Sequence, residues 1–538
     1  MDTWGTLSIR VCYLATRPAW FRPRGWSDYS SHFTSGYLRT LSTSASRRPF
    51  GGWLVIPVLF AVLAYTQLTR YGLWHDEIYT LSFMHGVDAY LFTGSDLQES
   101  SRHPLAWYQQ LLQQDQYWPH FWRDIVHEGH PPLYFLLLKG WTLLWGTGER
   151  GLRSFSLLAA TLTLLVAGQT GQLVSRRAAW LLPLLLACCP PFLYFALEAR
   201  MYALYLLLAA LNLYWLLRLL QQPASAPATG LGWFVATGVA LVYTHYYGVF
   251  WYGCLALVLA VRLARQRAWG PLLLLALPGL ALLGWLPVLH QQTAAHKDHW
   301  TNGYLGLVAS GRQYLRGGAD LLLAQTPTNS ELAAVGGLAL LALLNLGVPT
   351  RQQTRRWAVP AGLLLLYGAG VILLDGLLNH HTIAVPRYYL PLQFALLLGL
   401  VALGERGKSR LVQATVTAGF MLLFAKVQVQ QLTKMREAKQ MYREAGRYLA
   451  QRYPPTSVEV VVSPNGPTTL GIAYYCPANF VVRTEPVGQV CSEYAKRGVV
   501  IVEQNLGLPI EPKAQPCAAP PAASRLAHFV FVDVVNAR

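Results

Sequence analysis

Charge is scarce in this chain. Of 538 residues only 13% are Asp, Glu, Lys or Arg, while 53% are hydrophobic and the mean hydropathy is +0.30. An ordinary soluble protein carries about 25% charged residues. So little polar surface cannot coat one large soluble domain, and lipid is the natural solvent for the excess. Cysteine is sparse as well: seven in all, with no CxxC and no Cys/His spacing of a zinc site. Cys12 precedes the first apolar block, and Cys188, Cys189 and Cys254 lie within such blocks. Cys476, Cys491 and Cys517 lie in a polar tail, where one disulfide would leave one cysteine over. Acidic residues are few, 25 against 43 basic, which leaves a net charge of +18. That excess does not mark a nucleic-acid binder. The Lys and Arg residues sit in short clusters between apolar blocks and form no basic face with interleaved aromatics.

What is abundant is apolar sequence in blocks of membrane-crossing length. A helix needs about 20 apolar residues to cross a bilayer. Leu- and Ala-rich blocks such as Phe155–Val174, Ala179–Phe195, Pro271–Leu289 and Trp357–Leu374 meet that length. No alternation of period two runs through them, which argues against a membrane β-barrel. The blocks predict an all-α polytopic fold of about eleven spans, near 53–70, 155–174, 179–196, 202–220, 231–245, 247–264, 270–289, 331–348, 357–375, 388–403 and 410–426.

The connecting segments set the orientation. Twelve Lys and Arg residues fall in the short loops at 175–177, 218–230, 262–267, 351–356 and 405–410, and seven Arg with no Lys precede residue 50. The positive-inside rule puts all of these in the cytoplasm. Residues 1–52 then read as a basic, disordered cytoplasmic extension, of a composition that transit peptides share. Residues 53–426 are the transmembrane domain, and 71–154 is its first extracytoplasmic loop. The apolar stretch His130–Gly146 would reverse every later loop if it crossed. With Lys139 in its middle and Trp141 and Trp145 after it, it reads as an interfacial helix. Residues 427–538 change composition. Arg436–Arg452 predicts an amphipathic helix, and Ser457–Val462, Gly498–Val502 and His528–Val535 predict strands, a small extracytoplasmic α/β domain.

Under this topology the unusual polar residues collect on one side of the membrane. They are Asp76-Glu77, His127-Glu128-Gly-His130, Arg153, Glu198-Ala-Arg200, His245, His380-His381 and Arg387. Ionisable groups at membrane depth are costly and mark function or pairing. Glu198 and Arg200 are spaced to pair with each other. Adjacent carboxylates supply a general base for a hydroxyl and are chemically able to hold a divalent cation such as Mg2+ or Mn2+. No metal or other cofactor is firmly implied. Three Arg and a His suit a phosphate or pyrophosphate. Phosphate grips at lipid depth point to a lipid-linked phosphate. The segment His296-Lys-Asp298-His299 does not have a standard zinc spacing and reads as a solvated loop.

At these residues the chain resembles the GT-C membrane glycosyltransferases, the branch with protein O-mannosyltransferases, aminoarabinose transferases and bacterial Rgt-type enzymes. The matching motifs are Trp74-His-Asp76-Glu77, Gly129-His130-Pro-Pro-Leu-Tyr134, Gly148-Glu-Arg-Gly-Leu-Arg153-Ser154, Glu198-Ala-Arg200-Met-Tyr202, Thr244-His245-Tyr-Tyr247 and Pro386-Arg387-Tyr-Tyr389. They cover roughly residues 53–425 in order. The resemblance implies a polyprenyl- or dolichyl-phosphate sugar donor and inverting transfer on the extracytoplasmic face. The acceptor is a glycolipid, polysaccharide or protein. It implies Asp76 as base, with Glu77 as its neighbour or a metal ligand. His130, where aminoarabinose transferases carry a Lys, and Arg153, Arg200 and Arg387 would hold the donor phosphate. Glu198, Tyr202, His245 and Tyr247 are candidate substrate contacts. A bacterial inner membrane is the expected location, and no nucleotide-sugar fold is expected, since no GxGxxG fingerprint opens a helix. The competing reading is a polytopic transporter or lipid flippase, which requires polar groups near the bilayer midplane, interrupted helices and inverted repeats.

Overall fold

The structure is a computed structural model. It describes residues 51–87, 101–222, 229–295, 301–323, 327–346, 351–404, 408–439, 441–452, 459–462, 466–476, 481–484, 499–503, 524–526 and 529–533. The expected extension before residue 51, the 296–299 loop, Cys12, Cys491 and Cys517 lie outside the described residues.

Helices dominate, as the apolar blocks require. Four are long and apolar enough to cross a membrane: Glu149–Val174, Tyr202–Gln221, Gly248–Arg265 and Arg410–Thr433. Two further spans arise if each of two bent helix pairs is counted as one. Six shorter apolar helices accompany them, among them Gly52–Tyr65, Pro391–Ala402 and Leu133–Trp145. By length and composition the described residues therefore supply four to six spans, fewer than the eleven apolar blocks. Five of the expected blocks appear as apolar helices of 10–17 residues, and two are broken at prolines. A proline removes a backbone donor and clashes with the preceding turn. The 270–289 block is divided into Trp269–Leu274, Leu277–Leu283 and Leu286–Ala295, with Pro278 and Pro287 opening the second and third pieces. The 179–196 block is bent by 69° between Ala178–Cys188 and Pro190–Ala196.

The outer faces of these helices are apolar. Leu273, Leu365, Leu373, Leu377 and Leu422 are each more than 60% exposed. Contiguous apolar surface of this extent is unstable in water and natural against lipid tails, and the chain is an integral membrane protein. The Leu133–Trp145 helix has 13 residues, about 20 Å of rise, against a hydrocarbon core of about 30 Å. Its Lys139 ammonium is buried, donating to the Met84 carbonyl at 2.9 Å and to Asp115 at 2.6 Å.

The Glu149–Val174 helix is the spine of the interior. It packs against Val55–Tyr65, Leu133–Trp145, Ala178–Cys188, Pro190–Ala196 and Tyr202–Gln221. The bend before Pro190 has a local cause. Cys189 is extended (φ −70°, ψ 121°), as a residue preceding proline must be, and Pro190 and Pro191 open the next helix. That short helix ends in the turn 197–201, which carries Glu198 and Arg200 into the interior, where both are buried.

Strands β1 (Ser101–Pro104), β2 (Glu459–Val462), β3 (Val481–Thr484), β4 (Val499–Glu503), β5 (Ser524–Leu526) and β6 (Phe529–Asp533) form one sheet in the order β1-β3-β2-β4-β6-β5. β2 runs parallel to β3, with Glu459 opposite Val481, and parallel to β4, with Val460 opposite Val499. The other pairings are antiparallel. β1 comes from the loop after the first helices, so the sheet draws on both ends of the chain.

Candidate functional site

The site is built on the first turn of helix His75–Met84. Trp74 caps it in an extended conformation, and the Trp74 N–H donates back to Glu77 at 3.3 Å. Two carboxylates in a first turn complement the positive end of the helix dipole. Neighbouring helical positions point about 100° apart, so the two acids part company. Glu77 is fully buried, whereas the Asp76 side chain keeps 21% of its surface.

Glu77 is saturated. One oxygen accepts Arg153 Nε–H at 2.7 Å and the Ala199 N–H at 2.8 Å. The other accepts Arg153 Nη2–H at 2.5 Å and lies 3.8 Å from Lys439 Nζ. Burial alone would raise its carboxyl. The charges of Arg153 and Lys439 and the hydrogen bonds from Arg153 and Ala199 outweigh that and hold it below the usual carboxylate range.

Arg153 is equally committed. Its remaining donors reach the carbonyls of Leu68 at 2.8 Å, Tyr71 at 2.7 Å and Gly72 at 2.7 Å, so all five N–H groups are used. This corrects two expectations from the sequence. In this structure Arg153 has no donor left for a phosphate, and Glu77 has no free oxygen for a metal or an acceptor hydroxyl. The pair instead staples the Leu68–Gly72 backbone and the 197–201 turn to the helix carrying Asp76.

Asp76 faces the other way. Its carboxylate pairs with Arg387 Nη1 at 3.5 Å, and the Arg387 side chain keeps 25% exposure. Arg387 lies over the rings of Tyr202 and Tyr388, at 5.9 and 6.0 Å, and its Nε has no hydrogen-bond partner. The short 3-10 turn Pro386–Tyr389 that presents it is held from below. The Tyr388 carbonyl accepts from the hydroxyls of Tyr205 (3.2 Å) and Tyr367 (3.0 Å).

A second cation–carboxylate group stands beside the first. Arg200 donates to Glu128 at 2.9 Å and to Thr80 at 3.3 Å. Helix Tyr117–Glu128 ends at Gly129 with φ +72°, a left-handed conformation that glycine adopts without strain. That reversal sets His130 back over the helix end, with Nδ1 3.0 Å from the Glu128 carbonyl and 3.3 Å from its carboxylate.

His245 lies 5.8 Å ring to ring from His130 and stacks on Tyr205 at 4.6 Å. Its Nδ1 accepts the Tyr247 N–H at 3.3 Å, which assigns the ring proton to Nε2, and that buried atom has no partner. Tyr247 stacks on Tyr388 at 5.0 Å and donates to Thr382, and Asp375 in turn accepts from Thr382 at 2.5 Å. Glu198 is buried, and one of its oxygens has no partner. Burial pushes its carboxyl up to about 7, Lys439 and Arg387 pull it down, and Glu77 and Asp76 push it up.

Thus the ten residues expected as base, phosphate grips or substrate contacts belong to one connected cluster. Two members escaped that reading. Glu128 was visible in the His-Glu-Gly-His motif, yet only the fold shows it as the partner of Arg200 and His130. Lys439 lies beyond the last apolar block, and no motif marks it. Among the described residues no group of three His, Cys, Asp or Glu side chains is arranged to hold a metal ion.

No protein-family model matches the chain, and no curated protein matches it. Solved structures do. The crystal structure of ArnT from Cupriavidus metallidurans bound to undecaprenyl phosphate aligns with a TM-score of 0.50 at 15% identity, over 90% of this chain and 98% of that one. The apo structure of the same protein aligns with a TM-score of 0.49 at 14% identity, over 89% and 97%. The chain shares the fold of ArnT.

Proposed function

We propose that this protein is an integral membrane glycosyltransferase that moves a sugar from a polyprenyl-phosphate donor to an acceptor hydroxyl with inversion. The observation that carries the reading is the open Asp76–Arg387 pair, set at a rim and backed by the sealed Glu77–Arg153 pair, in a chain with the ArnT fold. The fold is that of a protein solved with undecaprenyl phosphate, which supports a donor of that chemistry.

In this reading Asp76 takes the proton of the acceptor hydroxyl as that oxygen attacks the anomeric carbon. The bond from that carbon to the phosphate oxygen breaks, and its electron pair leaves on the phosphate. Arg387 and His130 meet the developing charge, with Arg200 behind them; preorganised donors aimed at developing charge are an effective catalytic device. Glu77 and Arg153 position Asp76 and do not touch substrate. Glu198, Tyr202, His245 and Tyr247 line the sugar. We place the site on the extracytoplasmic face of a bacterial inner membrane, with eleven spans over 53–426, a cytoplasmic N-terminus and an extracytoplasmic domain over 427–538. The acceptor is a glycolipid, polysaccharide or protein.

A transporter would also have bent helices, and two bent pairs are present. However, the ionisable cluster sits on helix ends and connecting turns, at Asp76, Glu198, His245, Arg387 and Lys439, where a surface reaction needs it.

The test is release of free undecaprenyl phosphate from undecaprenyl-phosphate sugars by purified protein, with a membrane extract as acceptor source. Acceptor-dependent release by wild type, lost in Asp76→Asn at equal folding, supports the reading. Well-folded protein that neither binds undecaprenyl phosphate nor releases it overturns the reading.

A further inference from the structure

Lys439 is the last residue of helix Arg410–Lys439, in a segment that reads from sequence as a polar tail. It is 1% exposed, and its Nζ has no hydrogen-bond partner. An ammonium with three donors is rarely buried in this way, because desolvation costs several kcal/mol unless carboxylates compensate it. Here they do. Nζ lies 3.8 Å from Glu77, sits over the rings of Tyr194 and Trp74 at 4.6 and 5.6 Å, and acts electrostatically on Glu198 and Asp76.

Lys439 is the third cation of this group. Three carboxylates, Asp76, Glu77 and Glu198, face three cations, Arg153, Arg387 and Lys439. Arg153 is consumed by Glu77 and backbone carbonyls, while Arg387 pairs with Asp76 and keeps an unpartnered Nε. Lys439 and Arg387 are the two cations that act on the buried Glu198 carboxyl, and Lys439 also stands 3.8 Å from the Glu77 carboxylate. Tyr134 and Tyr194, the other titratable groups facing Glu198, supply no positive charge.

The helix end is also docked deliberately. A Cβ on residue 72 would stand 2.9 Å from the Lys439 carbonyl oxygen, so Gly72 admits the approach, and the Gly72 carbonyl itself accepts from Arg153. One turn further on, Arg443 donates to the carbonyls of Thr69 and Tyr71, both at 3.2 Å, and pairs with Glu149. The Leu73 N–H donates to the Tyr475 hydroxyl at 2.6 Å. The segment from Lys439 to Tyr475 grips the five residues that lead into the Trp74–Glu77 turn.

We propose that Lys439 is a positioning residue of this site, its buried ammonium holding the Glu77 and Glu198 carboxylates behind Asp76, so that the segment after the last apolar block is part of the catalytic machinery. The role in turnover rests on the glycosyltransferase reading; the charge coupling does not.

Two measurements test it. The first uses full-length protein in detergent at about pH 8 and needs no donor. Thermal unfolding is followed for wild type, Lys439→Met, Glu198→Gln and the double variant. The expected result is coupling: Glu198→Gln raises the midpoint more in the Lys439→Met background than in wild type. Equal effects in both backgrounds mean that Lys439 only fills space, and the proposal fails. The second is release of undecaprenyl phosphate. Lys439→Met should lower kcat about tenfold or more with donor KM within about threefold, and Lys439→Arg should recover most of the loss. Unchanged kcat in Lys439→Met, or equal loss in the Met and Arg variants, overturns the positioning role. Coupling without any release in wild type would fault the glycosyltransferase reading and leave the charge pairing standing.

Discussion

Two arginine–carboxylate pairs meet on adjacent residues and behave as opposites. Glu77 and Arg153 are sealed, with every donor of the guanidinium used and side-chain exposures of 0% and 1%. Asp76 and Arg387 are open, 3.5 Å apart, about a fifth to a quarter exposed, and Arg387 keeps an unpartnered Nε. A group whose hydrogen bonds are all spent on its own chain can fix geometry but has little left for a ligand. A group with spare valence and access can bind. The first pair sets where the second stands.

The difference predicts that the sealed pair governs folding and the open pair governs turnover. Arg153→Leu leaves a buried carboxylate with most of its compensation gone. It should cost about 3–5 kcal/mol, enough to remove much of the folded protein, read as the unfolding midpoint in detergent. Arg153→Lys keeps a charge but not the five-donor fork, and should recover only part. An Arg153→Leu protein of wild-type stability would break the comparison at its root.

Asp76→Asn should do the reverse. Stability should move by less than about 1 kcal/mol, as for an ion pair that keeps contact with solvent. Release of undecaprenyl phosphate should fall about 10²–10⁴-fold, the range for loss of a general base. Arg387→Met should weaken undecaprenyl phosphate binding about 10–100-fold, matching about 1.5–3 kcal/mol for hydrogen bonds to a charged group, at a stability cost of about 1–2 kcal/mol from the lost ring contacts. If Asp76→Asn unfolds the protein, the open pair is structural too.

Glu198 stands between the two kinds and gives a pH signature. Its carboxyl rises from an ordinary 4.5 to about 7 in the fold. The folded state therefore prefers the proton. That preference contributes fully below about 4.5 and is lost as the pH rises through about 7. Gln mimics the protonated acid, so Glu198→Gln should match wild type near pH 4 and be the more stable protein at pH 8, by roughly 1–3 kcal/mol. Unfolding curves across that range that stay parallel would show that Glu198 is ionised throughout.

Most of the polar cluster was legible because charge is rare here, so each ionisable residue on one side of the membrane stood out. Membership was readable; orientation was not. Asp76 and Glu77 are neighbours in sequence, and only the capped helix turn decides which faces inward. Arg153 looked like a phosphate grip because its five carbonyl and carboxylate acceptors come from residues 68–77, distant from it in sequence. Lys439 was hidden among the charges of a polar tail, and nothing local says that its helix end packs on Gly72. The broken spans did have a signal. Pro190, Pro191, Pro278 and Pro287 lie within the apolar blocks, and each removes a backbone donor, which hydropathy does not register. The fold as a whole was readable from motif order, and the structural likeness to ArnT agrees with it.

His245 supplies the smallest and finest test, since it is buried like Arg153 yet unsatisfied like Arg387. Phenylalanine at 245 would keep the stack on Tyr205, lose the acceptor for the Tyr247 N–H, and remove the buried Nε2–H. The last two changes oppose each other, so stability should stay within about 1 kcal/mol of wild type. If Nε2–H is aimed at a donor oxygen, His245→Phe should raise the donor KM about 3–10-fold, the worth of one neutral hydrogen bond. Unchanged KM together with higher stability would make the imidazole a buried imperfection. The open side of the site would then stop at Arg387 and His130, and an unpartnered donor would no longer suffice here to separate binding residues from scaffold.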